Sequence, residues 1–246
     1  GLSIASWHLP RTVAVSYTEA APGSATSNWR HTFGAERTTA AWRSRGPAGF
    51  TADIIALQGV SDMTDARRLF PARTHHVLLS RQVLATHPRK GGTVALVIAR
   101  RSGIKTVGIR HFLPDPADPD TAAALAVRFK ARGVLFWVLS VDGLSRAVRA
   151  SVDAWLRDTA KDGTPVIFAG SVPVDRLPEG AQSHKPALSC TRGMPVLALT
   201  RTSDATSASQ APSTAAMRFG NVAVATGERP CAIVGHLVAK AATRGN

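Results

Sequence analysis

The chain has 246 residues, of which 44% are hydrophobic and 19% are charged. This size and balance fit one large or two small globular domains, whose core needs no disulfide bonds for its stability. No run of 18 apolar residues occurs, which excludes a membrane-spanning helix, whereas the net charge of +14 makes a polyanion one candidate partner.

The first half of the chain predicts strands separated by helices or long loops. Leu2–Trp7 has the apolar composition of a strand, and residues 11–34, rich in Ser, Thr, Gly and Pro, predict a long loop. Helices are predicted at 34–46, closed by glycine, and at 62–71, closed by proline. Further strands are predicted at 52–58, 75–80, 91–102 and 104–112.

The second half predicts two paired strands, one long helix and a closing group of strands. Ala123–Gly143 contains two strands joined by a tight turn near residues 131–133. Ser145–Gly163 is the clearest helix, because Val148 and Val152 begin an apolar stripe along one face. The remaining predicted strands are 164–171, 195–201, 219–225 and 231–239, and a loop is predicted at 203–216.

The order of these elements favours an α+β fold. The strands occur in hairpin groups rather than in strict β-α-β repeats, which is typical of two mixed sheets with helices outside. Cys190 and Cys231 are too few to define a disulfide framework, and the sequence leaves open whether they pair. It also leaves the compartment open, either the cytoplasm or an exported protein whose leader has been removed.

Six segments carry a resemblance to a known family. The first three are LSIASWH from residue 2, ADIIALQGV from residue 52, and the pair LAVRF from residue 125 and VLFWVLSVDG from residue 134. The other three are TPVIFAGSVPVD from residue 164, RFGNVAV from residue 218 and TGERPCAIV from residue 226. In order and spacing they resemble the motifs of the endonuclease/exonuclease/phosphatase superfamily. The resemblance covers residues 2–239. It implies a single DNase-I-like domain over residues 1–246, a four-layer α/β/β/α sandwich of two mixed sheets with outer helices.

The family's chemistry needs side chains that differ from those of this chain. Family members cleave phosphoric esters with a divalent cation held by carboxylates, and with His, Asp and Asn side chains that act on the phosphate and the water. By the resemblance, the corresponding residues here are His8, Gly59, Asp142, Ser171, Pro173, Gly220, Gly227 and Glu228. Because the groups of such a site act jointly, these replacements predict a catalytically inactive protein, a pseudoenzyme, that binds a protein partner or a polyanion.

A rebuilt catalytic site is the first alternative. His8, Asp142 and Glu228 are ligand types found in metal sites, and together they would make a divergent phosphodiesterase or phosphatase that uses Mg²⁺ or Mn²⁺. The simpler interpretation is that Asp142 caps a loop and Glu228 pairs with an arginine. We therefore expect no metal, and no nucleotide cofactor either, because phosphate-loop and dinucleotide-binding spacings are absent from the sequence.

Arginine provides the second alternative, a nucleic-acid-binding protein. The chain has 24 arginines. Candidate phosphate-binding residues are Arg100, Arg101, Arg128 and Arg146, on segments that the resemblance places beside the cleft. Nucleic acid and phospholipid headgroups are the polyanions considered, and a surface remote from the cleft is a further possibility. The other interpretation is an arginine-rich surface in contact with solvent alone.

Overall fold

Two six-stranded sheets form most of the structure. The computed structural model describes residues 1–8, 52–60, 63–80, 93–112, 124–142, 146–171, 181–184, 195–200, 217–225 and 232–239. The loops predicted at 11–34 and 203–216, the helix predicted at 34–46, and both cysteines lie outside the described residues.

The described segments form twelve strands and two helices. The strands are β1 (Leu2–His8), β2 (Ile54–Val60), β3 (His75–Leu79), β4 (Thr93–Ala99), β5 (Lys105–Phe112), β6 (Ala124–Ala131), β7 (Val134–Asp142), β8 (Val166–Ser171), β9 (Ala181–His184), β10 (Pro195–Thr200), β11 (Met217–Ala225) and β12 (Ala232–Ala239). The helices are α1 (Met63–Leu69) and α2 (Arg146–Lys161).

Both sheets are mixed, as predicted. The first has the strand order β11-β12-β1-β2-β4-β3, and the second has the order β5-β6-β7-β8-β10-β9. Strand β1 runs parallel to β2, and β7 runs parallel to β8, whereas the other paired strands are antiparallel. Parallel neighbours end at the same edge of a sheet, so the carboxyl ends of each parallel pair lie side by side.

The main core lies between the two sheets. Side chains alternate along each strand, so every second residue points to the facing sheet. Ile4, Ile54 and Leu96 of the first sheet meet Val127 and Phe136 of the second, and each is at most 1% exposed. Burying a side chain of this size contributes about 1.5–3 kcal/mol, which fixes which face of each strand turns inward.

The two helices supply the outer layers. In α2, Val148, Val152 and Trp155 lie on one face and are buried against the outer side of the second sheet. Phe70, directly after α1, is fully buried and meets the ring of Trp7 edge-on, with ring centroids 6.2 Å apart. The predicted α/β/β/α order of layers is therefore confirmed, and Trp7 lies in the core.

Two elements differ from the sequence-based predictions. The strand predicted at 91–102 ends at Ala99, because Arg100–Ser102 turn into a short 3-10 helix in which the Ser102 hydroxyl donates to Ala99 O over 2.6 Å. Strand β9 was not predicted, because its sequence AQSH has no apolar alternation and it is held by backbone pairing with β10. Neither described helix is long and apolar enough to span a membrane.

Candidate functional site

Four strands end at one edge of the sandwich, which we call the candidate site edge. Strands β1, β2, β7 and β8 end there at His8, Val60, Asp142 and Ser171. His8 pairs with Gln58 across β1 and β2, and Asp142 pairs with Ser171 across β7 and β8. Four positions predicted from the resemblance, 8, 59, 142 and 171, are thus brought to one edge by strand register.

Buried polar side chains join the two sheets near this edge. The fully buried Gln58 accepts a hydrogen bond from Ser6 Oγ over 3.4 Å and donates to Ser140 Oγ over 3.3 Å and to Ala169 O over 3.5 Å. Ser140 Oγ in turn donates to Leu57 O over 3.3 Å. Contacts from β2 to both β7 and β8 show that the two sets of strand ends face each other.

We call the side chains of Ser6, Gln58 and Ser140 the inter-sheet bridge. Leaving a buried polar group without a partner costs about 1–3 kcal/mol, so the bridge favours one placement of the sheets over others. No motif in the sequence marks these three residues as a unit. Their only sequence signal is a polar residue, Gln58, at the end of an otherwise apolar strand.

Gly59 has a backbone conformation that favours glycine. Its φ is 77°, in the left-handed region. It is the extra residue of a bulge, because Gln58 pairs with Val94 and Val60 pairs with Thr93. A non-glycine residue there costs about 1–2 kcal/mol, so the backbone at this position disfavours a side chain.

Asp142 places a buried carboxylate at the candidate site edge. It is 6% exposed and ends β7, two residues after Ser140, so alternation puts both on the face toward the first sheet. No group of three or more His, Cys, Asp and Glu side chains that could hold a metal ion occurs within the described part of the chain. Hard divalent cations take oxygen ligands, and among the described side chains at this edge Asp142 is the carboxylate that could supply one.

Gly170 leaves no room for a side chain. A Cβ atom at this position would overlap the backbone oxygen of Val141, because β7 and β8 approach closely beside their ends. Gly220 lies where the β11–β12 pairing shifts, between Phe219 and Val222. Pro173, Gly227 and Glu228, and the side chains of His8 and Ser171, lie outside what the structure describes.

Two of the candidate phosphate-binding arginines, Arg100 and Arg101, lie away from this edge. Arg100 and Arg101 follow β4, whose last residue, Ala99, donates its N–H to Asp53 O just before β2 begins. They therefore lie at the opposite end of the sandwich, and the expectation that they border the cleft is wrong for this pair. Arg146 is the first residue of α2, and its side chain is outside the described set.

Arg128 lies on the outer face of the second sheet. Its guanidinium carbon is 5.9 Å from the ring centroid of Trp137, and Nη2 donates to Thr164 Oγ1 over 3.3 Å. Trp137, which is only partly buried, packs edge-on against Trp155 with centroids 5.3 Å apart. These contacts place Arg128 in the packing under α2, away from the face that carries Asp142.

No protein-family model matches this chain, and no curated protein matches it. Solved structures do. The human Nocturnin catalytic domain, solved with a sulfate anion, has a TM-score of 0.62 at 10% identity over 97% of this chain and 93% of its own. TDP2 of D. rerio, complexed with a single-strand DNA product, gives 0.56 at 14% identity over 96% and 98%. An endonuclease/exonuclease/phosphatase family protein of Bacteroides thetaiotaomicron gives 0.57 at 12% identity over 100% and 97%.

Proposed function

This chain has the DNase-I-like fold of the endonuclease/exonuclease/phosphatase superfamily, and on that premise we propose that it is a non-catalytic protein of this fold that acts by binding a polyanion or a protein partner. The fold alone does not decide activity, because one fold carries many functions. The proposal is supported by the residues found at the positions that the resemblance matches to the family's catalytic side chains.

The left-handed Gly59 in the β2 bulge is the observation that carries the proposal. By the resemblance this position carries a metal-binding Glu in the family, and the left-handed backbone here disfavours a Glu side chain. Asp142 is the one carboxylate at the candidate site edge among the side chains that the structure describes. Binding remains as an activity that this fold can perform without the missing groups.

A metal titration tests the proposal directly. The purified protein is incubated with Mg²⁺ or Mn²⁺ and plasmid DNA, a lipid phosphodiester or a phosphomonoester. We expect no turnover above that of the metal in buffer. Metal-dependent hydrolysis that disappears in Asp142→Asn would show that the site is active and would contradict the proposal.

A rebuilt metal site is the second candidate function, a divergent phosphodiesterase or phosphatase. It is favoured by placement, because His8 and Asp142 end strands at the same edge. Ala225 and Ala232, which pair with each other and flank residues 226–231, lie there too. Calorimetric titration with Mn²⁺ tests it without a substrate. Binding by the wild type that is lost in both Asp142→Asn and Glu228→Gln would support it, and no binding would exclude it.

A polyanion is the better supported class of partner. The chain carries a net charge of +14, and TDP2 of D. rerio, which shares the fold, has been solved with a single-strand DNA product. A protein partner would not by itself account for so large an excess of one charge. The first binding assays should therefore use nucleic acids.

A further inference from the structure

Six exposed cationic side chains lie at the end of the sandwich opposite the candidate site edge. We call them the distal basic surface: Arg73, Arg100, Arg101, Lys105, Lys130 and Arg132. They are spread over sixty residues of sequence, and strand pairing brings them together. The nine residues of β7 separate this end from Asp142 by roughly 25 Å at about 3.3 Å per residue.

Strand direction explains why these cations share one end. Arg73 lies in the turn before β3, which pairs antiparallel with β4 so that His75 faces Ala99. Lys105 at the start of β5 pairs with Lys130 near the end of β6. The connection from β4 to β5, which carries Arg100 and Arg101, passes from the first sheet to the second and links the two groups.

Few carboxylates offset this charge at the same end. Asp53 accepts hydrogen bonds from the N–H and the hydroxyl of Ser3, each at 2.9 Å. Asp158 forms an ion pair with Lys161 at 3.0 Å. Among the described side chains, Asp162 is the one other carboxylate there, so the surface keeps a clear positive excess.

Hydrogen bonds fix the position of Arg100, next to Arg101 at the centre of the surface. Arg100 Nε donates to Ala72 O over 2.8 Å, and the Arg100 N–H donates to Thr74 O over 2.9 Å. These bonds tie the turn between the sheets to the turn before β3, while the Arg100 side chain stays exposed. A surface that is already ordered loses less conformational entropy when a ligand binds.

Arg132 occupies a strained position in the tight turn between β6 and β7. Its φ is 50° and that of Gly133 is 81°, so both central residues are left-handed. Such turns favour Asn-Gly, and an arginine in the left-handed region costs about 1–2 kcal/mol. Strain at a surface turn is a reason to look for a function of the side chain, and here the side chain adds a charge to the basic surface.

We propose that the distal basic surface binds the phosphate backbone of a nucleic acid. Four of its six cations are arginines, whose guanidinium groups match two phosphate oxygens at once. With sheets about 10 Å apart and strands about 4.8 Å apart, the six cations span about 20 Å. That length corresponds to about six phosphates of one strand. This inference rests on the proposed function, because both take the partner to be a polyanion.

A nucleic acid fits this surface better than a membrane does. Stable membrane anchoring usually combines basic residues with inserted apolar groups. The large apolar side chains that the described residues expose are Val107, Ile109 and Leu135, and Leu135 stands directly opposite Lys130. The turns that carry the four arginines of the surface expose none of these three side chains. Contact by charge alone, without apolar insertion, is typical of phosphate-backbone recognition.

A charge-reversal pair tests the inference. Fluorescence anisotropy with a labelled 20-nucleotide single strand, the matching RNA and the duplex gives affinity at several salt concentrations. Arg101→Glu should weaken binding about tenfold and reduce the salt slope by about one. Arg110→Glu, an equal charge change about 17 Å along β5, is the matched control and should weaken it less than threefold.

Four outcomes contradict the inference: no salt-dependent binding, equal effects of the two variants, loss of folding stability in Arg101→Glu alone, or binding to phosphatidylserine vesicles but to none of the nucleic acids. The assays are run in EDTA, so nucleic acid cannot be cleaved by a metal-dependent reaction. If the protein proves to be an active hydrolase in the metal titration, the proposed function fails while this test still reports on the distal basic surface.

Discussion

Replacing Gly59 by Ala tests the left-handed backbone at this residue, which supports the proposal that the protein is not catalytic. The substitution adds one methyl group at a φ of 77°. The left-handed region costs a residue with a Cβ about 1–2 kcal/mol, and for a chain of 150–250 residues each kcal/mol lowers the midpoint by about 2–4 °C. We expect the thermal midpoint of Gly59→Ala to fall by about 2–8 °C.

Gly108→Ala is the matched control, because this glycine lies in a strand without a left-handed φ. A Cβ atom there would lie 3.4 Å from Arg128 Cβ and 3.6 Å from the Trp137 ring, ordinary contact distances. Its stability should stay within about 0.5 kcal/mol of the wild type. Calorimetry measures the thermal midpoints of both variants. If Gly59→Ala is as stable as Gly108→Ala, the bulge tolerates a side chain, and the conformation of Gly59 does not support the proposed loss of catalysis.

Three further predictions follow from the contacts. Arg132→Asn should raise the free energy of unfolding by about 1 kcal/mol and weaken nucleic-acid binding, opposite effects that a denaturation curve and anisotropy measure together. Ser140→Ala should lower that free energy by about 1–3 kcal/mol, because Gln58 loses an acceptor in the core; an unchanged urea midpoint would refute a role for the inter-sheet bridge. Burial, and then the charge of Arg101, lower the pKa of His75 below its ordinary 6.5. The unfolded chain therefore binds that proton more tightly, and stability should fall as the pH drops below about 6.5. Arg101→Gln should raise the pKa of His75 in an NMR titration, and no change would mean that the two groups are not coupled.

Apolar patterns in the sequence predicted most of the fold. The apolar runs at Leu2–Trp7 and 52–58 became β1 and β2, and the stripe that begins at Val148 became the buried face of α2. Burial of apolar side chains dominates the choice of element, so this signal is strong. The apolar pattern did not predict β9, because this short polar strand is held by backbone pairing with β10 rather than by apolar burial.

The geometry around the predicted site depends on how distant strands pair, and local sequence patterns do not predict that pairing. The resemblance predicts that Gly59 stands in the place of a carboxylate, but the left-handed conformation of Gly59 follows from the shift in pairing between β2 and β4. The same holds for the arginines. Arg73, Arg100 and Arg132 are far apart in the sequence, and their shared location is a result of strand direction.

The inter-sheet bridge also has a consequence for the kinetics of folding. Gln58 is separated by 82 residues from Ser140 and by 111 from Ala169 along the chain. Contacts across such long separations require large loops to close, and folds rich in them form slowly. Because the bridge joins strands that are distant in sequence, we expect it to form late in folding, so that Ser140→Ala accelerates unfolding while leaving the refolding rate nearly unchanged. The three buried polar residues would then report a late step of folding, in which the two sheets close on each other.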